Sequence, residues 1–355
     1  MAKKWYMREY QNGDEKGIIE IRKEVFADDE IEKQSFDYWK WEFMDNPNGK
    51  AEIMLAFNKD DDLLIGHQAY IHHKFNKNNQ VIKGSLSCDS MTRKKYRYPF
   101  MFHTIDNQCC DNLKKDGIHF KYGFGYRRGM KELSEQSGYK ILGYIPIYVL
   151  PVNNSNIIKK YIKINALSSI FGIFTDAAFL ILRKFFMFNV ERKKIELVEK
   201  FDKSFDDLWE QCKNQHNIMQ YRDYENLKWR FEDNPKVKYT ILKCLEDDKL
   251  VGYMVLRNTN IFGLKCLIIC DVLALDIDHK ILANLDNAAV EYAKKNSCDL
   301  VGLMLHSHKG YSKYFKQKLY IKSPYRFSMS YGYICLEEQV VINDFYITWM
   351  DSDTI

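Results

Sequence analysis

Hydrophobic and polar positions along the 355-residue chain follow one pattern that is used twice. Residues 39–47 read WKWEFMDNP and residues 227–235 read LKWRFEDNP, so Lys40/Lys228, Trp41/Trp229, Phe43/Phe231, Asp45/Asp233, Asn46/Asn234 and Pro47/Pro235 match at one offset. Downstream, DDLLIG (61–66) is echoed by DDKLVG (247–252), and an apolar run ending in Cys88-Asp89 by one ending in Cys270-Asp271. A duplicated order of elements marks domains better than composition does.

Each copy predicts a short helix ending at Asn-Pro, a hairpin around the Asp-Asp turn, a strand into Cys-Asp, a long helix and a further strand. The long helix is expected near 100–115 in the first copy, with IHFKYGF (118–124) as the next strand. In the second copy it is expected at 280–295, followed by DLVGLML (299–305). A strand, a helix and a parallel strand require a crossover connection, so the fold class is α/β (α+β), built as two tandem domains at 1–155 and 196–355.

Residues 156–195 join the copies and carry ALSSIFGIFTDAAFLIL (166–182) between KKYIK and RK. The preferred reading is a buried interdomain helix, because Phe171, Phe174, Ala178, Ile181, Phe185 and Phe188 fall near a three-to-four spacing. A peripheral membrane contact through 166–188, with basic flanks, is the second reading. A membrane span is the weakest, since about 20 apolar residues are needed and this run includes Ser168, Ser169, Thr175 and Asp176.

Composition adds bounds. Hydrophobic residues at 46% and charged ones at 28% describe a globular chain with a sizeable core and exclude wholesale disorder. A net charge of +5 gives no electrostatic case for nucleic acid as a partner. Nine cysteines without a CxxC pair are expected to be reduced, buried thiols. The N-terminal MAKKWYMREY lacks a signal-peptide core, so a cytoplasmic location is expected.

Familiar catalytic signatures are missing: GFGYRRG (123–129) has the wrong glycine spacing for a dinucleotide fingerprint, and there is no P-loop, HExxH or GxSxG. His67, His72 and His73 share one predicted strand but lack a carboxylate or thiol at suitable spacing, so no metal is expected. The most informative stretch is CDSMTRKKYRYPFMF (88–102), where a strand passes through Arg93, Lys94, Lys95 and Arg97 into a helix start. Free amides and the dipole at such a start can hold phosphate; a solvated basic loop is the alternative.

Trp41, Asn46, Pro47, Gly66, His67, Leu86, Asp89, Met91, Thr92, Tyr96, Arg97, Tyr122, Gly123, Phe124, Gly138 and Ile145-Pro146, in this order of elements, resemble the GCN5-related N-acetyltransferase superfamily. The likeness is to the tandem members associated with bacterial surface-polysaccharide biosynthesis. Tyr221-Arg222-Asp223, Trp229-Arg230-Phe231, Asn234-Pro235, Gly252-Tyr253, Asp271 and the closing FYITWMDSD (345–353) carry the resemblance through the second copy, with Met350 where a glycine is usual.

This resemblance implies that each domain is a mixed, partly splayed sheet flanked by helices, with acetyl-CoA or another acyl-CoA as co-substrate held in a V-shaped split. The family's phosphate turn, Arg/Gln-x-x-Gly-x-Gly/Ala, is here Arg97-Tyr98-Pro99-Phe100-Met101-Phe102. Phe100 and Phe102 replace its small residues and Pro99 removes an amide, so side chains are expected to crowd the phosphate position.

Met91, Arg93, Arg97, Tyr98, Phe100, Met101 and Phe102 are the implied cofactor-binding set. The family's tyrosine acid is replaced by Ser134, and Tyr126, which with Arg127 and Arg128 stands where the family is asparagine-rich, is kept as a catalytic candidate. Asp89 is the other, as a general base whose pKa burial would raise; the alternative is a structural carboxylate. Asp351 and Asp353 are expected to reach the cleft as acceptor-binding groups. The second copy has the turn ALDIDHK (274–280), whose aspartates would repel a diphosphate, and is read as a non-binding partner domain.

The resulting expectation is an acyltransferase acting on an amine or hydroxyl, with a small-molecule or sugar acceptor attacking the thioester directly. The competing class is a catalytically degenerate member of the same fold that serves as a binding or scaffold component.

Overall fold

The structure is a computed structural model and describes residues 4–26, 31–125, 137–161, 191–335 and 339–353. Tyr126, Ser134 and the apolar stretch 166–188 lie outside the described residues. The first copy of the pattern forms β1 (Trp5–Glu9), α1 (Glu15–Phe26), α2 (Phe36–Phe43), β2 (Glu52–Asn58), β3 (Leu64–Lys77), β4 (Gln80–Thr92), α3 (Met101–Lys115), β5 (Phe120–Gly125) and β6 (Lys140–Pro151). After α4 (Asn154–Tyr161) and β7 (Lys194–Val198) come α5 (Ser204–Cys212), β8 (Ile218–Gln220) and α6 (Tyr224–Leu227). The second copy continues with β9 (Thr240–Glu246), β10 (Lys249–Ile261), β11 (Leu264–Ala274), α7 (His279–Lys295), β12 (Leu300–His306), α8 (Tyr311–Gln317), β13 (Ile321–Tyr333) and β14 (Phe345–Thr348).

Both long helices and the strands after them lie within two residues of where the pattern placed them. The two Asp-Asp turns are hairpin turns, and aspartate is suited to them because it tolerates the left-handed region. Asp62 sits at φ 56°, Asp247 at 49° and Asp248 at 58°. The β3–β4 hairpin turns on Asn78 and Asn79, at φ 50° and 69°, between the paired Lys77 and Gln80.

Compact units do not follow the linear division at 155 and 196. The first comprises residues 1–144, 229–237 and 327–342; the second comprises 145–228, 238–326 and 343–355. Strand pairing explains the exchange: late residues of β13 pair with β5 (Met329 opposite Phe124), while late residues of β6 pair with β12 (Leu150 opposite Val301). The ends of β6 and β13 therefore complete the sheet of the unit that holds most of the other copy.

In the first unit the sheet order is β1-β2-β3-β4-β5-β13, antiparallel except for β4 and β5. Helix α3 lies on one face through Met101, Ile105, Cys109 and Leu113, a four-residue stripe packed with Trp5, Met54, Ala56, Ile65 and Tyr70. Truncating one of the aliphatic members, such as Leu113→Ala, is expected to cost about 2–5 kcal/mol. The duplicated Trp-x-Phe motifs meet within this unit: Trp41 Nε1 donates to Trp229 O at 2.7 Å, Trp229 Nε1 donates to Trp41 O at 3.0 Å, and the rings stack at 5.5 Å.

The duplicated asparagines stabilise the bends after these motifs. Asn46 Oδ1 accepts from the Asn48 amide, and Asn234 Oδ1 accepts from the amides of Lys236 and Val237, a local turn device typical of asparagine. In the second unit the order is β7-β9-β10-β11-β12-β6, with β11 and β12 parallel.

Candidate active site

Strands β4 and β5 pair only at Gly84–Phe120, Ser85–Lys121 and Leu86–Tyr122. Beyond Leu86 both strands continue, β4 to Thr92 and β5 to Gly125, without further pairing between them. This is the splay expected of the first copy. Gly84 permits the close approach at the end of this pairing away from the split, since a Cβ there would lie 2.4 Å from the Phe120 ring.

Past the split, β4 carries a bulge: His67 pairs with Met91 but Ala69 with Cys88, so Asp89 and Ser90 together oppose Gln68. Asp89 adopts φ 49° there. A bulge removes one residue from the ladder and re-aims its backbone.

The basic turn then leads into α3. Phe100, which occupies the first glycine place of the phosphate-turn pattern, adopts φ 61°, ψ 5° at the N-cap and makes no side-chain cap. Phe100 is 78% exposed, so it does not crowd the backbone as expected, and Met101 is buried in the core. The left-handed conformation a glycine would favour is therefore retained by a phenylalanine, at a steric cost of about 1–2 kcal/mol. The amides of Phe102 and His103 lie in the first helical turn, where no intrahelical carbonyl is available.

Around this turn Lys94, Lys95 and Arg97 are exposed, Phe102 is half-buried, and Tyr98 packs on Tyr96 against the α3 core. Arg93 is engaged elsewhere: Nε donates to Leu64 O at 2.8 Å and the guanidinium pairs with Glu24. Met91 is buried beside the bulge.

Asp89 is 4% exposed and held by Arg22 of α1, whose Nε donates to Asp89 Oδ2 at 2.6 Å. Arg22 also donates to Glu42 Oε2 at 2.6 Å and to Lys33 O at 2.8 Å. Burial would raise the pKa of Asp89, but the charges of Arg22 and Lys33 outweigh it and hold it below the usual carboxylate range. The raised pKa expected for a general base is not found, because a buried guanidinium stabilises the ionised form. Glu42, also paired with Arg22, is shifted the other way, burial outweighing the cation.

Sequence reading weighed His67 only as a metal ligand. Its Nδ1 lies 2.8 Å from the Asp89 carbonyl, so Nδ1 carries the proton, and Nε2 has no hydrogen-bond partner among the described residues. Burial pushes its pKa down to about 4, which keeps the ring neutral at pH 7. His72 bonds Ser85 Oγ, and His73 is buried 5.9 Å from the Trp229 ring. Among the described residues no group of three or more potential ligands could hold a metal.

The second copy's split is occupied. β11 and β12 pair from Cys266–Leu300 to Ile269–Leu303, and beyond that β14 pairs with β12 through Leu305–Thr348 and His306–Ile347. Behind it, Arg222 Nη2 donates to Asp351 Oδ2 at 2.7 Å, Arg222 Nε to Asp271 Oδ1 at 3.2 Å, and Thr348 Oγ1 to Asp271 Oδ1 at 2.7 Å. Asp351 is thus 3% exposed within the second unit, an anchor for the closing segment rather than a group reaching into a cleft, because Arg222 and the Thr348 amide fix it. Asp353 is half-buried beside it in sequence. Asp278 caps α7, accepting from the Lys280 amide at 2.7 Å.

No family model matches the chain, and no curated protein matches it. Solved structures do. Over 94% of this chain and 74% of its own, a probable N-acyltransferase of Enterococcus faecalis superposes with TM-score 0.65 at 11% identity. N-myristoyltransferase of Saccharomyces cerevisiae with bound myristoyl-CoA gives TM-score 0.61 at 11% identity, covering 94% and 80%. A GCN5-related N-acetyltransferase of Anabaena variabilis gives 0.61 at 11%, covering 93% and 73%. The chain thus has a mixed α/β fold of the kind these acyltransferases share.

Proposed function

We propose that the chain is a CoA-dependent acyltransferase whose donor site is the β4–β5 split of the first unit. The carrying observation is the left-handed Phe100 at an uncapped helix start directly beyond an open splay. The amides of Phe102 and His103, with Lys94, Lys95 and Arg97, would receive the diphosphate. The pantetheine arm would lie along the unpaired edge of β4, and the bulge at Asp89 and Ser90 would aim an amide at the thioester oxygen. Arg22 and Asp89 act here by fixing that bulge, not by proton transfer.

Attack on the thioester would be direct, by an amine or hydroxyl of a small molecule or sugar. The yeast neighbour's bound myristoyl-CoA makes long acyl chains donor candidates beside acetyl-CoA. A membrane-adjacent acceptor is supported by the composition of 166–188, and flotation with anionic liposomes should drop on Phe171→Asp with Phe174→Asp; equal flotation removes that version.

Calorimetric titration with a series from acetyl-CoA to myristoyl-CoA tests the reading, and saturable one-site heat with at least one member is expected. The second reading, a degenerate binding or scaffold component, is favoured by Arg93 being spent on Glu24 and Leu64. It predicts no heat with any acyl-CoA.

A further inference from the structure

We infer that the first unit contains a built-in proton relay leading from the mouth of the split to a buried carboxylate, formed by Ser87, Tyr139, Tyr70 and Asp106. This rests on the acyltransferase reading and names the groups that would move its proton.

The direction of every bond in the chain is fixed by counting hydrogens, since a hydroxyl donates only once. Tyr70 donates to Asp106 Oδ1. The Tyr70 and Tyr139 hydroxyls are 2.8 Å apart, and because the Tyr70 proton is committed, Tyr139 is the donor. Ser87 is the cross-strand partner of Tyr70 and lowers the pKa of Tyr139 as a hydrogen-bonding neighbour; the Tyr139 proton being committed, Ser87 is the donor in the inferred first hop. Gln68 Nε2 donates to Ser87 Oγ at 2.9 Å, which occupies one lone pair of that oxygen and leaves the other for a ligand.

At the inner end, Lys121 Nζ donates to Asp106 Oδ2 at 2.7 Å, to Ser137 O at 2.9 Å and to Cys110 Sγ at 3.0 Å, and lies 4.2 Å from the Tyr139 ring centre. Ser87 is half-buried and is the first β4 residue past the last β4–β5 pair, whereas Tyr139, Tyr70, Asp106 and Lys121 are buried. A row of aligned donors ending on a carboxylate makes the outermost oxygen a stronger acceptor.

The second copy shows that the fold does not need this chain. Asp286 on α7 receives Tyr314 at 3.1 Å and Tyr320 at 2.8 Å, so a buried Asp–Tyr contact recurs. Yet with Cys88-Asp89 matched to Cys270-Asp271 and IHFKYGF to DLVGLML, Ile269 and Gly302 stand at the places of Ser87 and Lys121, and neither can pass a proton. The open split has the relay; the occupied split has only its inner remnant.

The step balances within the chain. As the nucleophile attacks, its proton bonds to Ser87 Oγ, the Ser87 proton passes to Tyr139, that of Tyr139 to Tyr70, and that of Tyr70 to Asp106. Asp106 becomes a neutral acid while Lys121 stays an ammonium. When the C–S bond breaks, the same hops in reverse deliver a proton to the leaving thiolate, so nothing is consumed. Burial raises the pKa of both tyrosines, which suits them to exchanging protons without standing as phenolates.

The test uses the full chain, the acyl-CoA that binds by calorimetry, and hydroxylamine as the nucleophile, with thiol release followed in H2O and D2O. Tyr139→Phe, Tyr70→Phe and Ser87→Ala should each lower kcat about 100-fold with the KM for the thioester unchanged, and Ser87→Thr should restore most of the rate. The wild-type solvent isotope effect should report several protons in flight and fall to a single-proton value in Tyr139→Phe. Tyr320→Phe, the matching change in the second copy, should leave the rate unaltered. If acyl-CoA binds but Tyr139→Phe keeps the wild-type rate and isotope effect, the relay is overturned alone. If no acyl-CoA binds, the acyltransferase reading falls and the relay with it.

Discussion

The two copies share an element order but have treated their splits in opposite ways. In the first, β4 and β5 part after Leu86 and the following helix starts at an uncapped, left-handed Phe100. In the second, β14 pairs along the parted β12, Asp351 is buried against Arg222, and Asp278 supplies its own carboxylate to the start of α7. A helix start that would attract an anion is thus left free in one copy and satisfied internally in the other. The duplication preserved the scaffold, and the two scaffolds differ in whether a further strand pairs where the parallel strands part.

Acid should separate the two units most strongly. Burial holds His67, His72 and His73 of the first unit neutral, with pKa values down to about 4, about 4 and about 3; in the second unit His216 is pushed to about 3. Unfolded, each histidine binds a proton near 6.5, so their contribution is complete above that pH and is lost as the pH falls from 6.5 toward about 4 for His67 and His72 and about 3 for His73 and His216. The slope is roughly 1.4 kcal/mol per pH unit for each histidine. Urea unfolding followed by hydrogen exchange at pH 7.5, 6.0 and 5.0 should show protection falling faster in the first unit; an equal fall would break the contrast.

Next in size are the buried arginines, used alike in both copies. Arg22→Ala strands Asp89 and Glu42, and Arg222→Ala strands Asp271 and Asp351, so each should cost about 3–5 kcal/mol in a denaturant titration. A loss below 1 kcal/mol in either would mean that water replaces the guanidinium there.

The smallest effects should have opposite signs at the two helix starts. Phe100→Gly removes a strained left-handed side chain, and should stabilise the fold by about 1 kcal/mol while tightening acyl-CoA binding. Asp278→Ala removes a cap and should destabilise by about 1 kcal/mol without changing that binding. Thermal unfolding and calorimetry on the pair check both, and a binding change with Asp278→Ala would place the donor site in the wrong copy.

Sequence made much of this legible because its signals were local. Period and repeat gave the helices and strands, and the Asp-Asp pairs gave their turns through the tolerance of aspartate for positive φ. The basic stretch gave the helix start at 101. The Asn78-Asn79 hairpin carried the same kind of signal and was passed over.

What local signals do not encode is which partner a side chain meets across the fold. Asp89 reads as a general base until Arg22, 67 positions away, is placed beside it. Asp351 reads as an acceptor-binding group until Arg222 is placed against it in the buried interior. The two phenylalanines read as obstructions, since nothing local shows that Phe100 turns outward.

The chain by itself therefore determined the duplicated α/β plan, because periodicity and backbone preference act within a few residues, while the splayed strands and the departure from a glycine turn were expectations that the family resemblance implied. Tertiary structure alone decided the exchange of the β6 and β13 ends, the charge state of Asp89, the filling of the second split and the hydrogen-bonded chain of Tyr139, Tyr70 and Asp106. Each depends on burial and on contacts between residues tens to hundreds of positions apart, where desolvation and the nearest opposite charge outweigh intrinsic preference.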